Sequence, residues 1–231
     1  MMKPGFNMML HKNSTIKHIM IALLTFVLLF VQNLTAHDKN DFIIDNDALK
    51  ILGKNQGSGL NEYQFTFAIV SDRTGGMRSG VFAEAIEKLN LLQPDFVMSI
   101  GDLIDGYSEN KSYVLGQWNE FDNIIGKLEA PFFPLAGNHD ISNKMMLKLW
   151  KQKFGQPYYH FRFKNVLFLC INTEDPPHGN ISDEQVQYFE KILEENRDVR
   201  WTFLFMHVPL WQYGNKNGYD KLELLLMDRP Y

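Results

Sequence analysis

Residues 94–105 read PDFVMSIGDLID, and the way this stretch starts and stops sets the reading of the chain around it. Pro94 restarts the backbone in extended form. Phe96 to Ile100 is then an apolar run of strand length that ends at Gly101-Asp102, where glycine allows a sharp turn. Upstream the same design recurs: Tyr63 to Val70 is dense in aromatic and β-branched residues, halts at Ser71-Asp72, and reads as a buried strand ending at a functional loop. Gly75-Gly76 makes the turn, and a helix is predicted over Val81 to Leu92, with Phe82, Ala85, Ile86 and Leu89 at helical spacing.

Downstream the unit repeats. A helical stretch from about Ser112 to Leu128 leads to a strand over Pro131 to Leu135, and a short helix follows Asp140. The middle changes character: Tyr158 to Phe163 and Asn165 to Asn172 are two β-rich runs close enough for a hairpin turning at Lys164-Asn165, which opens the way to a second sheet. Ser182 is placed to cap a helix over Asp183 to Glu195, and Trp201 to Met206 reads as a strand aimed at His207. Asp220 to Met227 reads as a last short helix. The expected class is a layered α/β fold with two packed sheets flanked by helices.

At 231 residues, 45% hydrophobic and 22% charged, the chain has enough apolar material for one domain with a substantial core. The formal charge of −4 includes Lys3, Lys12 and Lys17 and no acid among the first 36 residues, so the remainder carries −7. That balance argues against a nucleic-acid scaffold as partner. Cys170 is the lone cysteine, lies in an apolar run and reads as a small buried hydrophobe, so no intrachain disulfide can form.

Residues 1–36 read as a signal peptide. Lys12 and Lys17 precede an apolar run from Ile19 to Val31, and Thr35-Ala36 offers a cleavage site. The run has 13 residues, short of the roughly 20 a helix needs to span a bilayer. Export to the periplasm or the medium is expected, with no stable membrane contact after cleavage. Leu34 fits poorly two positions before the cut, which leaves an uncleaved signal anchor as the alternative. Residues 37–62 are polar and aperiodic, a linker or strand-poor lead-in to a domain over 63–231.

Polar clusters follow the predicted strands at Ser71-Asp72-Arg73-Thr74, Gly101-Asp102-Leu103-Ile104-Asp105, Gly137-Asn138-His139-Asp140 and Met206-His207-Val208-Pro209. Carboxyl ends of strands are where an α/β sheet binds ligands, so these loops are expected to converge on one crevice. Asp offers hard anionic oxygen, Asn a neutral carbonyl and His a borderline nitrogen, a set that suits Mn, Zn or Fe better than Ca. Each cluster also has a plain reading: Asp72 as a turn cap, Asp102 and Asp105 as loop solvation, Asn138 as a helix N-cap, His207 as a core histidine. His37, His160 and His178 lie outside the pattern.

An Asp-containing loop, then GDxxD, GNHD and a lone later His, in that order, resembles the calcineurin-like metallophosphoesterase family from about Phe65 to the end of the chain. GDxxD alone is a weak signal; with GNHD about 35 residues on, each after a strand, it is a strong one. The resemblance implies a hydrolase that cleaves a small phosphoester with two transition-metal ions. Asp72 would bind the first ion, Asp102 would bridge both, and Asn138 and His207 would bind the second. His139 would face the leaving group as general acid, with Asp140 or another carboxylate orienting its ring. Asp105 is expected behind the ligands; direct metal binding is the alternative, since in some relatives a tyrosine there is a ligand. Arg73 is a candidate to grip a substrate phosphate, with a surface ion pair as the other reading.

Two departures qualify the resemblance. The usual Asp-x-His is Asp72-Arg73-Thr74 here, so the first ion loses a nitrogen ligand or gains the Thr74 hydroxyl. The family's later Gly-His-x-His has no counterpart between His207 and Tyr231. The expectation is an incomplete copy of a longer protein, with a further strand and that motif beyond Tyr231, and impaired activity in this chain. The competing reading is an exported, non-catalytic binding module that keeps the fold.

Overall fold

The computed structural model describes residues 42–43, 64–175, 178–212, 218–227 and 229, all within the unit Asn40–Tyr231. The signal segment and most of the lead-in lie outside the described residues. Strands β1 (Phe42–Ile43), β2 (Phe67–Val70), β3 (Phe96–Ser99), β4 (Phe132–Phe133), β5 (Tyr159–Phe163), β6 (Val166–Ile171) and β7 (Trp201–Met206) form two sheets. One is parallel, in the order β2-β3-β4; the other has the order β1-β5-β6-β7, with β1-β5 and β5-β6 antiparallel and β6-β7 parallel. Helices α1 (Val81–Leu92), α2 (Lys111–Ile125), α3 (Lys144–Phe154), α4 (Asp183–Glu195) and α5 (Tyr219–Leu226) complete the described fold, with a 3₁₀ turn at Leu210–Gln212.

Period-two alternation in the central strands explains the layering. In β6, Val166, Phe168 and Cys170 face the other sheet, whereas Leu167, Leu169 and Ile171 face Phe189 and Ile192 of α4 and Leu222 of α5. In β3, Phe96 and Met98 point between the sheets and Val97 points at α1–α3, where Ile86, Trp118, Phe121 and Trp150 pack. Because both faces are covered, these strands read as continuous apolar runs. Aromatic rings fill the space between the sheets: Phe133 stacks on Phe161 at 4.0 Å, and Phe96 meets Phe168 edge-on at 5.3 Å. The result is the expected α/β/β/α sandwich.

The predicted helices α1 and α4 and the strand β7 fall where expected, and Ser182 caps α4 by accepting from Gln185 N. Lys164 and Asn165 turn the hairpin with φ of 44° and 64°, both left-handed. Two local readings need correction. Asn138 starts no helix; the N-cap of α3 is Asn143, which accepts from Met146 N. The lead-in, read as strand-poor, supplies the two-residue strand β1 and needs no correction. Finally, among the described residues β2 is an edge strand, half-buried rather than buried, with Ile69 54% exposed. Among the described residues β7 is an edge too, and Phe67 of β2 faces its Phe203 and Phe205.

Candidate metal centre

The loops after β2, β3, β4 and β7 meet at one end of the sandwich. Asp72, Asp102 and His207 each place one ligand atom within 4.8 Å of the others. Asn138 joins them: its Oδ1 lies 2.9 Å from His207 Nε2, while Asp102 Oδ1 lies 3.4 Å from the same nitrogen. His207 Nδ1 donates to the Ile100 carbonyl at 2.8 Å, which leaves Nε2 directed into the cluster, the arrangement a metal-bound imidazole uses. With one nitrogen and three oxygen donors converging, these residues fit a transition-metal cation. Burial would lower the His207 pKa, but the Asp102 carboxylate outweighs it and holds the imidazole up to about 9. Burial would likewise raise Asp102, and the hydrogen bond and charge of His207 hold it below its ordinary value instead.

The backbone is shaped to the task. Asp72 and Asp102, both non-glycine, have φ of 47° and 58°, a left-handed conformation that costs roughly 1–2 kcal/mol. Gly137 allows a close approach: a Cβ there would stand 2.2 Å from Asp102 Oδ1. Asp140 supplies the fastening. Its carboxylate is fully buried and accepts four backbone N–H groups, from Asp102 (2.9 Å), Leu103 (2.8 Å), Ile104 (3.2 Å) and Gly137 (2.8 Å). Burial pushes its pKa up to about 7 against the pull of those donors. The expected role of Asp140 in orienting His139 is therefore corrected: it ties the GDLI and GNH segments together, with both oxygens engaged by backbone.

His139 is oriented by the backbone carbonyl of Asp105, 2.7 Å from its Nδ1. A carbonyl can only accept, so Nδ1 carries a hydrogen and Nε2 faces the cluster, 3.9 Å from Asp102 Oδ2. Asp105 thus contributes its main chain, and its carboxylate is outside the group of Asp72, Asp102 and His207. Arg73 also departs from its expected place. It is buried, donates to the Leu103 carbonyl at 2.9 Å and pairs with Glu120, so its fork braces the loop and is not free for a phosphate. Thr74 is buried, and its one hydroxyl hydrogen is shared between the carbonyls of Ile104 (2.8 Å) and Asp102 (3.2 Å), so the side chain ties its loop to the GDLID segment.

The match to the calcineurin-like phosphoesterase family runs over residues 65–230 and takes in every loop of this cluster. The chain belongs to that family. A probable glycerophosphodiester phosphodiesterase, GpdQ, of Arcobacter nitrofigilis is 29% identical over 136 residues, covering 53% of this chain and 44% of that protein. The chain thus spans less than half the length of that relative. Among solved structures, a dimetal phosphatase from Danio rerio superposes with a TM-score of 0.50 at 13% identity, over 71% of this chain and 78% of the other. GAP50, the anchor in the inner membrane complex of Plasmodium, gives 0.52 at 18% identity, over 71% and 62%. At these identities the likeness concerns the fold alone.

One neighbour of the cluster escaped sequence reasoning. Tyr107 accepts a hydrogen bond from Asn138 Nδ2 at 2.8 Å and sets its ring edge-on to His139, 4.8 Å between centroids. Its signal was position: it lies one glycine beyond the GDLID segment. His160 is buried against the Tyr188 hydroxyl, 2.7 Å from its Nδ1, and His178 pairs with Glu174 away from the cluster, as their place outside the pattern suggested. Cys170 is fully buried, and burial pushes its thiol up, away from reactivity.

Proposed function

We propose that this calcineurin-like phosphoesterase hydrolyses a small phosphoester, most readily a diester, with two transition-metal ions of the Mn, Zn or Fe type. The observation that carries this reading is the convergence of Asp72, Asp102, Asn138 and His207 on one point with His139 Nε2 beside it. Asp102, Asn138 and His207 would hold one ion, and Asp72 with Asp102 the other. When bound, such ions act as Lewis acids and lower the pKa of a water toward neutrality. The chain's own contribution is position and a proton. Nδ1 of His139 is held by the Asp105 carbonyl, so Nε2 is the atom that can deliver a proton to a departing alkoxide. The name of the GpdQ relative supports the diester preference.

Bis(p-nitrophenyl) phosphate and p-nitrophenyl phosphate, each assayed with Mn²⁺ and after chelation, test the proposal. Metal-dependent hydrolysis that favours the diester is expected. No hydrolysis and no bound metal would move the reading to a binding module.

Export is part of the proposal, supported by Lys12 and Lys17 ahead of the apolar run Ile19 to Val31. Among the described residues no helix is long and apolar enough to cross a membrane. Mass spectrometry of the mature protein should find a chain beginning near His37; an intact Met1 terminus would speak for the signal anchor.

A further inference from the structure

We infer that Tyr107 is a positioning residue of this site, holding the Asn138 amide so that its Oδ1 stays in the ligand cluster and limiting the swing of the His139 ring. The inference rests on the metal-dependent reading above. An amide side chain turns easily about its terminal bond and has only one end that can bind a cation. Here the other end is engaged: Asn138 Nδ2 donates to the Tyr107 hydroxyl at 2.8 Å, and Oδ1 is left 2.9 Å from His207 Nε2. The phenol ring stands edge-on to His139, 82° between planes, beside a histidine already tethered through Nδ1. One side chain thus touches both a candidate ligand and the candidate acid.

Burial does not account for Tyr107. It is 62% exposed, yet its backbone is left-handed, with φ of 46°, a cost that an exposed aromatic side chain recovers little of through packing. Gly106 lets the loop run this close to His139, since a Cβ there would fall 1.6 Å from the His139 carbonyl oxygen. Gly106 N also donates to Gln117 Oε1 of α2 at 3.1 Å. The loop is therefore pinned on both sides, and it presents Tyr107 to Asn138 at a fixed place.

The full chain and its Tyr107→Phe and Tyr107→Ala variants are titrated with Co²⁺, followed by calorimetry and by the visible absorption of the bound ion, with melting temperature recorded in parallel. Tyr107→Phe removes only the hydroxyl and should weaken Co²⁺ binding about tenfold, the lower end of what a ligand-orienting partner is worth. Its melting temperature should not change, a separation that a merely structural role would not produce. Tyr107→Ala should in addition widen the gap between alkyl and aryl esters in kcat, because the His139 ring loses its wall. Wild-type affinity for Co²⁺ in Tyr107→Phe overturns the inference while leaving the proposed function standing. Absence of Co²⁺ binding in the unaltered chain overturns both.

Discussion

Asp72 and Asp102 follow adjacent parallel strands, both adopt left-handed backbone, and both bring a carboxylate to the same point, yet their surroundings differ. Asp102 is 5% exposed, accepts from the His139 amide at 3.1 Å, faces His207, and stands on a loop fastened by the buried Asp140. Asp72 is exposed at the end of edge strand β2, with its amide on the Gly101 carbonyl and its carboxylate taking a hydrogen bond from Ser71. Preorganisation comes from central strands covered on both faces. The edge strand delivers the same chemistry with fewer supports, so the cluster is expected to bind one cation well and a second weakly.

Removing the shared carboxylate breaks the comparison most sharply. Asp102→Asn should abolish hydrolysis and cation binding together, whereas Asp72→Asn should keep one cation of near-normal affinity; calorimetric stoichiometry separates the two outcomes. Next in size, His139→Ala should leave cation binding intact and slow turnover by roughly 10²–10⁴, the usual worth of a general acid. The loss should be smaller for aryl than for alkyl leaving groups, and equal losses would mean that Nε2 is not the proton donor.

Asp140→Asn tests the fastening rather than the chemistry. Replacing one acceptor oxygen by an N–H₂ group sets donor against donor in a buried place, which should cost about 2–4 kcal/mol in denaturant unfolding. A melting curve like that of the parent would sink the structural role assigned to Asp140. The smallest effect concerns the loop near Asp72: Thr74→Val should cost about 1 kcal/mol through its lost hydrogen bonds and leave cation affinity alone. Weakened binding there would place Thr74 in the ligand set.

The layers were legible because β3 and β6 announce themselves as apolar runs and α1 and α4 by helical spacing. The loops were legible because strand ends and their polar residues are adjacent in sequence. What sequence could not convey was where a side chain goes once folded. Arg73 has the right chemistry to grip a substrate and Asp140 to orient the acid, but both are buried and tied to backbone groups of other segments. Such pairings join residues 30 or more positions apart, as Arg73 to Leu103 and Asp102 to Asp140, and no local pattern encodes them. Tyr107 was missed for the same reason, since its partners Asn138 and His139 lie on a different loop.

The central claim, that these loops form a cation site serving phosphoester hydrolysis, is tested most directly by titrating the metal-stripped full chain with Mn²⁺ at several pH values while following both heat and diester hydrolysis. His207 holds its proton up to about 9 without a cation, so binding must displace it. Apparent affinity for the ion that His207 holds should therefore rise about tenfold per pH unit from neutrality toward 9, with one proton released as that ion binds. Hydrolysis should appear as the site fills and vanish on chelation. Hydrolysis that persists without metal, or Mn²⁺ binding with neither pH dependence nor activity, would contradict the account.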